Sequence, residues 1–299
     1  MGIKSLGRVR CGTMIGVAAL CLWVAATATA QSQMVINLGT LYGGDQSNAY
    51  GLNAQGQVVG RTVGADTVSH AFVWSLATAA NGLLDIGPIE ARAINDHGLV
   101  AGFGFLYDTT NAGTTPLPPI AAGGFASRAY GINNYNLVVG NGYPASGPFH
   151  AFAYSAPTGT MTDLSAILGL PAFDVTAYGV NDAGQVVGDS FVWDRVNGGR
   201  RVVNTLGGTF VALMAINASG IAVGYADVSP RGLQHAVRYD TNTGQLSDLG
   251  TLPGAGAESF AYGINTQGQI VGSSDDIATG TTRATLWNTD GTITDLNSL

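Results

Sequence analysis

Four aspartates, three arginines and two tyrosines stand out as residues able to do chemistry: Arg61, Asp66, Tyr143, Tyr225, Asp227, Arg231, Asp275, Asp276 and Arg283. Paired carboxylates can act as acid and base on a glycosidic bond, provided that they sit at a defined separation. Arginine and tyrosine suit recognition, because a guanidinium presents a planar fork of donors to an acidic group. The adjacent Asp275 and Asp276 could begin a calcium site, but calcium takes six or more oxygens. No other cofactor or metal is expected. His-Glu-x-x-His, Gly-x-Ser-x-Gly and a phosphate-binding glycine loop are all missing. Three of the four histidines, His70, His150 and His235, hold one repeated position, which predicts a structural bond to a neighbouring strand; His97 lies in a turn.

The elements that carry these residues are repeats. One segment recurs six times, from Gly51-Leu-Asn53-Ala-Gln-Gly56-Gln-Val-Val-Gly60 to Gly263-Ile-Asn265-Thr-Gln-Gly268-Gln-Ile-Val-Gly272. The repeated asparagines are Asn53, Asn95, Asn133, Asn181, Asn217 and Asn265, spaced by 42, 38, 48, 36 and 48 residues. Each segment reads as a strand, an Asn-x-x-Gly turn and a second strand. The Asn side chain bonds nearby backbone, and the Gly supplies the positive φ of a bulged hairpin. In the third copy Asn136 replaces that Gly, and Asn is the next best residue at positive φ. Tyr50, Tyr130, Tyr178 and Tyr262 share one position ahead of the turn, where packing is expected.

Two further strands follow in each unit. One is aromatic, as in Ala71-Phe-Val-Trp74 and Ala151-Phe-Ala-Tyr154; the other pairs an aspartate with leucine, as in Asp85-Ile-Gly87 and Asp248-Leu-Gly-Thr-Leu252. A degraded copy begins at Asn204, and a seventh stands ahead of the first unit at Asn37-Leu-Gly-Thr-Leu41. Four short strands in about 42 residues match a β-propeller blade. The expected fold is all-β, a propeller of six four-stranded blades over residues 31–299. A parallel β-helix has shorter coils and would not carry the repeated hairpin. The segment near Leu38 is expected to help close the ring by pairing near Leu296.

Strand order places the long connections. Successive antiparallel strands reverse, so the strand-two-to-three connections lie opposite the Asn-x-x-Gly turns. They are short at Gly102-Phe-Gly-Phe105 and Gly188-Asp-Ser-Phe191, and about ten residues long after Gly60, Gly140, Gly224 and Gly272. All nine residues named at the outset fall in these long connections, so they are expected on one face. Insertions confined to one face often build the binding surface of a repeat protein.

The N-terminus has the three parts of a secretory signal. Lys4, Arg8 and Arg10 precede an apolar run from Met14 to about Ala28, and Ala28-Thr29-Ala30 offers small residues for cleavage. The run is short for a membrane span, and Leu20 before Cys21 does not suit a lipoprotein signal. Residues 1–30 are therefore read as a cleaved signal peptide. Cleavage removes Cys11 and Cys21, the only cysteines, and with them any disulfide or thiol chemistry. It also removes three of the 12 basic residues and none of the 19 acids, which moves the net charge from −7 to −10. An acidic chain whose only lysine is Lys4 argues against nucleic acid and against anionic membranes.

The pattern resembles the HAF repeat family of bacterial extracellular proteins, named for the triplet seen here as His70-Ala71-Phe72 and His150-Ala151-Phe152, and varied as His235-Ala236-Val237. The Gly-Ile-Asn-x-x-Gly-x-Val-Val-Gly and Asp-Leu-Gly-Thr-Leu elements also match, and the likeness runs from about Ile36 to Leu299. It implies secretion and a propeller-like repeat, without naming an activity. The expectation is a monomeric, extracellular or periplasmic, non-catalytic propeller without a membrane span. It would bind a glycan or surface protein through its long-loop face. The alternative is a hydrolase or lyase using aspartates on that face.

Overall fold

The computed structural model describes residues 36–298, apart from 78–81, 171–172, 197, 199, 203–204, 229–231 and 254–256. The expected signal peptide at 1–30, Asn204 and Arg231 lie outside the described residues.

Among the described residues, twenty-four strands form six four-stranded antiparallel sheets, each built from consecutive strands. Blade one is β1–β4 (Gln46–Leu52, Gln57–Val63, Ser69–Ser75, Leu84–Pro88), and blade two is β5–β8 (Ala91–Ile94, Leu99–Gly102, Phe105–Asp108, Gly113–Pro116). Blade three is β9–β12 (Arg128–Ile132, Leu137–Gly142, His150–Ser155, Thr160–Asp163), and blade four is β13–β16 (Ala177–Val180, Gln185–Gly188, Phe191–Asp194, Arg200–Val202). Blade five is β17–β20 (Gly207–Ile216, Ile221–Val228, Leu233–Asp240, Gln245–Asp248), and blade six is β21–β24 (Ser259–Ile264, Ile270–Asp276, Thr281–Trp287, Ile293–Asp295). The first strands of successive blades pack side by side around a channel. This is a β-propeller, as the repeat spacing predicts. One short helix, α1 (Leu164–Leu168), follows β12, with Asp163 as its N-cap.

The turn reading holds in all six blades. Gly56, Gly98, Gly184, Gly220 and Gly268 have positive φ, and Asn136 takes the same conformation at 57°. The core lies between blades, because the sheets of blades two to five bury both faces against their neighbours. Val59, Ala71 and Val73 of blade one meet Ala91, Val100 and Phe105 of blade two, and each later junction repeats the scheme. Phe72, Phe152 and Phe191, from the aromatic strands, are fully buried. Each such ring contributes about 1.5–3 kcal/mol through burial.

The second-strand glycine has a separate task. At Gly60 a Cβ would fall on the carbonyl oxygen of Asn48, and the equivalent glycines meet the first strand in the same way. This close approach accompanies a β-bulge. Ala49 pairs with Gly60 and Gly51 with Val59, which leaves Tyr50 as the extra residue.

The junction between blades six and one differs from the other five. Val59, Ala101, Val139, Val187 and Val223 are 0% exposed, but Val271 is only half-buried. On the facing side Ala49 is half-buried, whereas Ala91, Ala129, Ala177 and Ala261 are buried. A Cβ at Gly131 or Gly179 would meet the next blade's backbone, whereas at Gly263 it would meet only Val271 of its own blade. The expected pairing of the Leu38 segment near Leu296 is not what forms. Leu38 and Leu41 lie outside any strand and pack on Val58, Phe72 and Trp74 of blade one. The same Leu-x-x-Leu spacing explains this: Leu117 and Ile120 pack against blade three in the same manner. The segment is a linker wedge rather than a strand.

Candidate functional site

The two ends of the propeller are built differently. At the turn end each repeated Asn does two jobs. In blade three, Asn133 Oδ1 accepts from the amides of Tyr135 (3.0 Å) and Leu137 (2.9 Å), closing its own turn. Its Nδ2 donates to the Asn181 carbonyl of the next blade at 2.9 Å. The same inter-blade bond links Asn53 to Asn95, Asn95 to Asn133, Asn181 to Asn217 and Asn217 to Asn265, at 3.0–3.1 Å. Asn265 is exposed, and its Nδ2 turns back to Gln269 Oε1 at 2.9 Å.

The histidines are structural, as their repetition predicts. Nδ1 of His70, His150 and His235 lies 3.0, 2.8 and 2.9 Å from Asp85, Asp163 and Asp248. The other oxygen of each aspartate accepts a backbone amide of the turn that follows, from Gly87, Ala166 or Gly250. In blade six Arg283 occupies the histidine position and reaches Asp295 at 3.9 Å. His97 is exposed.

At the opposite end, which we call the loop end, the expected site residues separate. Of the described ones, only Asp66 and Tyr143 sit in loops. Arg61, Tyr225, Asp227, Asp275, Asp276 and Arg283 lie in strands, because the hairpins keep pairing out to Val63↔Ser69, Val228↔Leu233 and Asp276↔Thr281. The aspartates serve local geometry. Asp66 accepts from the Val68 amide, Asp227 from Gln234, and Asp275 from Thr282. Asp276 accepts from Ala278 and Thr279 and pairs with Arg283 at 3.3 Å. Neighbouring strand residues point to opposite faces, so Asp275 and Asp276 do not converge on one ion. Among the described residues, no three His, Cys, Asp or Glu side chains gather as a metal site.

Three features at this end and in the channel escaped the sequence reading. First, the bulge residues Tyr50, Arg92, Tyr130, Tyr178 and Met214 line an open cavity of about 290 Å³ in the channel. As expected these tyrosines pack, Tyr130 edge-on to Tyr178 at 5.6 Å, but the bulge re-aims them into the channel, where they also line its cavity. The Arg92 guanidinium lies 4.2 Å from the Tyr50 ring centre and 5.6 Å from that of Tyr130, and is paired with Glu90 at 2.8 Å.

Second, Asp189 is buried at the junction of blades four and five. It accepts from the Thr176 amide at 2.9 Å, and Thr176 in turn accepts from Asn141 at 2.8 Å. Burial pushes the Asp189 carboxyl up to about 6, and desolvation likewise raises Tyr178 and Tyr225 beside it. The short connections at blades two and four act as clasps on the next blade, through Gly104 N to Ser127 O and Ser190 N to Val211 O, both at 2.9 Å.

Third, aromatic rings gather around Arg128. Its guanidinium lies 4.6 Å from the ring centre of Phe103 and 5.2 Å from that of Phe149. Tyr143 sits 3.8 Å from Phe149 and 5.9 Å from Phe125, and Phe125 is 71% exposed. A second aromatic group, Phe210, Tyr225, Phe260 and Tyr262, lines blades five and six, with Tyr262 45% exposed beside the open junction. The signals were present: Phe103 in a two-residue connection and Phe149 before a strand are apolar residues at positions where polar ones are usual.

No family model and no curated protein matches the chain. Solved structures do. The crystal structure of TolB from Acinetobacter baumannii superposes with a TM-score of 0.50 at 12% identity, over 79% of this chain and 61% of that one. The extracellular domain of BT4673 from B. thetaiotaomicron gives 0.52 at 10% identity, over 83% of this chain and 32% of that one. The chain thus spans less than two thirds of either structure's length. The β-propeller domain of the Trilobed protease from Pyrococcus furiosus gives 0.49 at 11% identity, over 84% and 83%. At these identities the likeness is one of fold: this chain is built as a β-propeller.

Proposed function

We propose that this chain is an exported, non-catalytic propeller of the HAF type that binds an extracellular glycan or surface protein through its loop end. One observation carries the reading. The turn end is tied by a repeated asparagine ladder, whereas the loop end breaks the repeat and displays an aromatic surface around Arg128 with Phe125 71% exposed. Exposed aromatics beside a polar rim mark recognition surfaces. The alternative, a hydrolase or lyase, would need two free carboxylates at a defined separation; Asp66, Asp227, Asp275 and Asp276 each accept hydrogen bonds within their own turn or hairpin. Export accords with the N-terminal signal pattern; among the described residues no helix is long and apolar enough to cross a membrane.

The test is an array of extracellular glycans and surface proteins probed with the exported chain. The expected result is a ligand whose signal is lost in Tyr143→Ala and retained in Asp66→Ala. Retention of every signal in Tyr143→Ala and in Tyr225→Ala refutes binding through the loop end.

A further inference from the structure

We propose that the Arg128 cluster recognises a carboxylate-bearing sugar residue, an inference that rests on the loop-end binding reading and names its ligand class. The first ground is electrostatic. Acids outnumber basic residues by 19 to 12 in this chain, and Arg92 and Arg283 both have carboxylate partners. Arg128, like Arg61 and Arg238, is in none of the ion pairs found among the described residues, and it alone of these lies between two aromatic faces. The carboxylate that touches this cluster, Asp174, is held by the Phe149 amide at 2.7 Å. A guanidinium stacked on rings is pre-organised, and its free fork matches a carboxylate in bidentate fashion.

The second ground is shape. Tyr143, Phe149 and Phe125 extend the surface next to that fork, with ring centres 3.8 and 5.9 Å from Tyr143. An aromatic face accepts the C–H side of a pyranose, so one uronate residue can stack and ion-pair together. The position is anchored. Arg128 begins β9 and Phe103 bridges to it across the blade junction. Arg128 and Phe103 are thereby fixed to two blades, and Tyr143, Phe149 and Phe125 reach them from the adjoining loops.

The experiment is isothermal titration of the full chain, purified after export, with three probes: trigalacturonate, the neutral galactose trisaccharide and triglutamate. Saturable binding of trigalacturonate is expected, with the neutral sugar at least about tenfold weaker, since a charge-assisted bidentate contact supplies that much. Arg128→Ala should weaken trigalacturonate by about tenfold or more, and Arg128→Lys should fall between. Tyr143→Ala, at a loop position, should weaken both sugars without changing the melting temperature, so a misfolded Arg128→Ala cannot hide the answer. Equal binding of neutral and acidic sugar, still dependent on Tyr143, overturns the inference and leaves loop-end binding standing. Tighter binding of triglutamate overturns it in favour of an acidic peptide. Binding of trigalacturonate that neither variant alters overturns both readings.

Discussion

The turn end and the loop end of this propeller use the same strands for opposite purposes. At the turn end five asparagines repeat one bond to the next blade, at 2.9–3.1 Å. At the loop end the equivalent blades carry Arg61, Phe103, Asn141, Asp189, Tyr225 and Ser273 after the shared glycine, six different residues at one position. A repeat that keeps its residue is holding blades together. A repeat that changes its residue serves local needs: Asn141 and Asp189 are buried in hydrogen bonds, whereas Phe103 and Tyr225 join the aromatic groups. Between blades six and one the ladder has no rung: Asn265 stands exposed and bonds Gln269 of its own turn.

The sharpest way to break this comparison is in the ladder itself. Asn133→Ala removes an inter-blade bond and two turn bonds from a buried position. It should destabilise the chain by about 3 kcal/mol or more, because buried amides and a carbonyl lose their partners. Asn265→Ala, at the exposed end of the ladder, should cost under about 1 kcal/mol. Urea midpoints of the two variants measure the difference, and equal losses would mean that the ladder does not discriminate the junctions.

A smaller effect sharpens the boundary between the ends. Asp189 lies at the loop end yet is buried, with its carboxyl raised from 3.8 to about 6 by desolvation. A raised acid favours the folded state when protonated. Its contribution is present below about pH 4 and is lost as the pH rises through about 6. The loss is roughly 2–3 kcal/mol for a shift of this size. Asp189→Asn keeps an oxygen for the Thr176 amide and removes the charge. The stability gap between variant and parent, followed by denaturation from pH 4 to 7.5, should therefore widen in the variant's favour as pH rises. A constant gap would show that the carboxylate is not desolvated.

Much of the turn end was legible. Asn-x-x-Gly with Asn136 in the glycine position specifies the turn, and the regular spacing specifies the blade. The ladder was not legible, because the partner of each Asn is a carbonyl 36–48 residues away, whose position depends on blade packing. At the loop end, strand order placed the expected residues on one face. Alternation within the hairpins then committed Asp275, Asp276 and Arg283 to local bonds. Packing at Tyr50, Tyr130 and Tyr178 was legible and is found, but their place in the channel was not, because a bulge leaves no signature of its own side chain. Only the glycine opposite, such as Gly60, marks it, and that glycine is equally explained by a turn. Arg128 looked like an ordinary strand residue, since its rings come from Phe103 and Phe149, in two different blades.

The most direct test of the whole account is amide and guanidinium chemical-shift mapping of the isotope-labelled chain on addition of trigalacturonate. The account predicts the largest shifts at Arg128, Tyr143 and Phe149, with the amides of Tyr135 and Leu137 beside the Asn133 turn unmoved. Shifts centred on the asparagine ladder, or spread evenly over both ends, would contradict it.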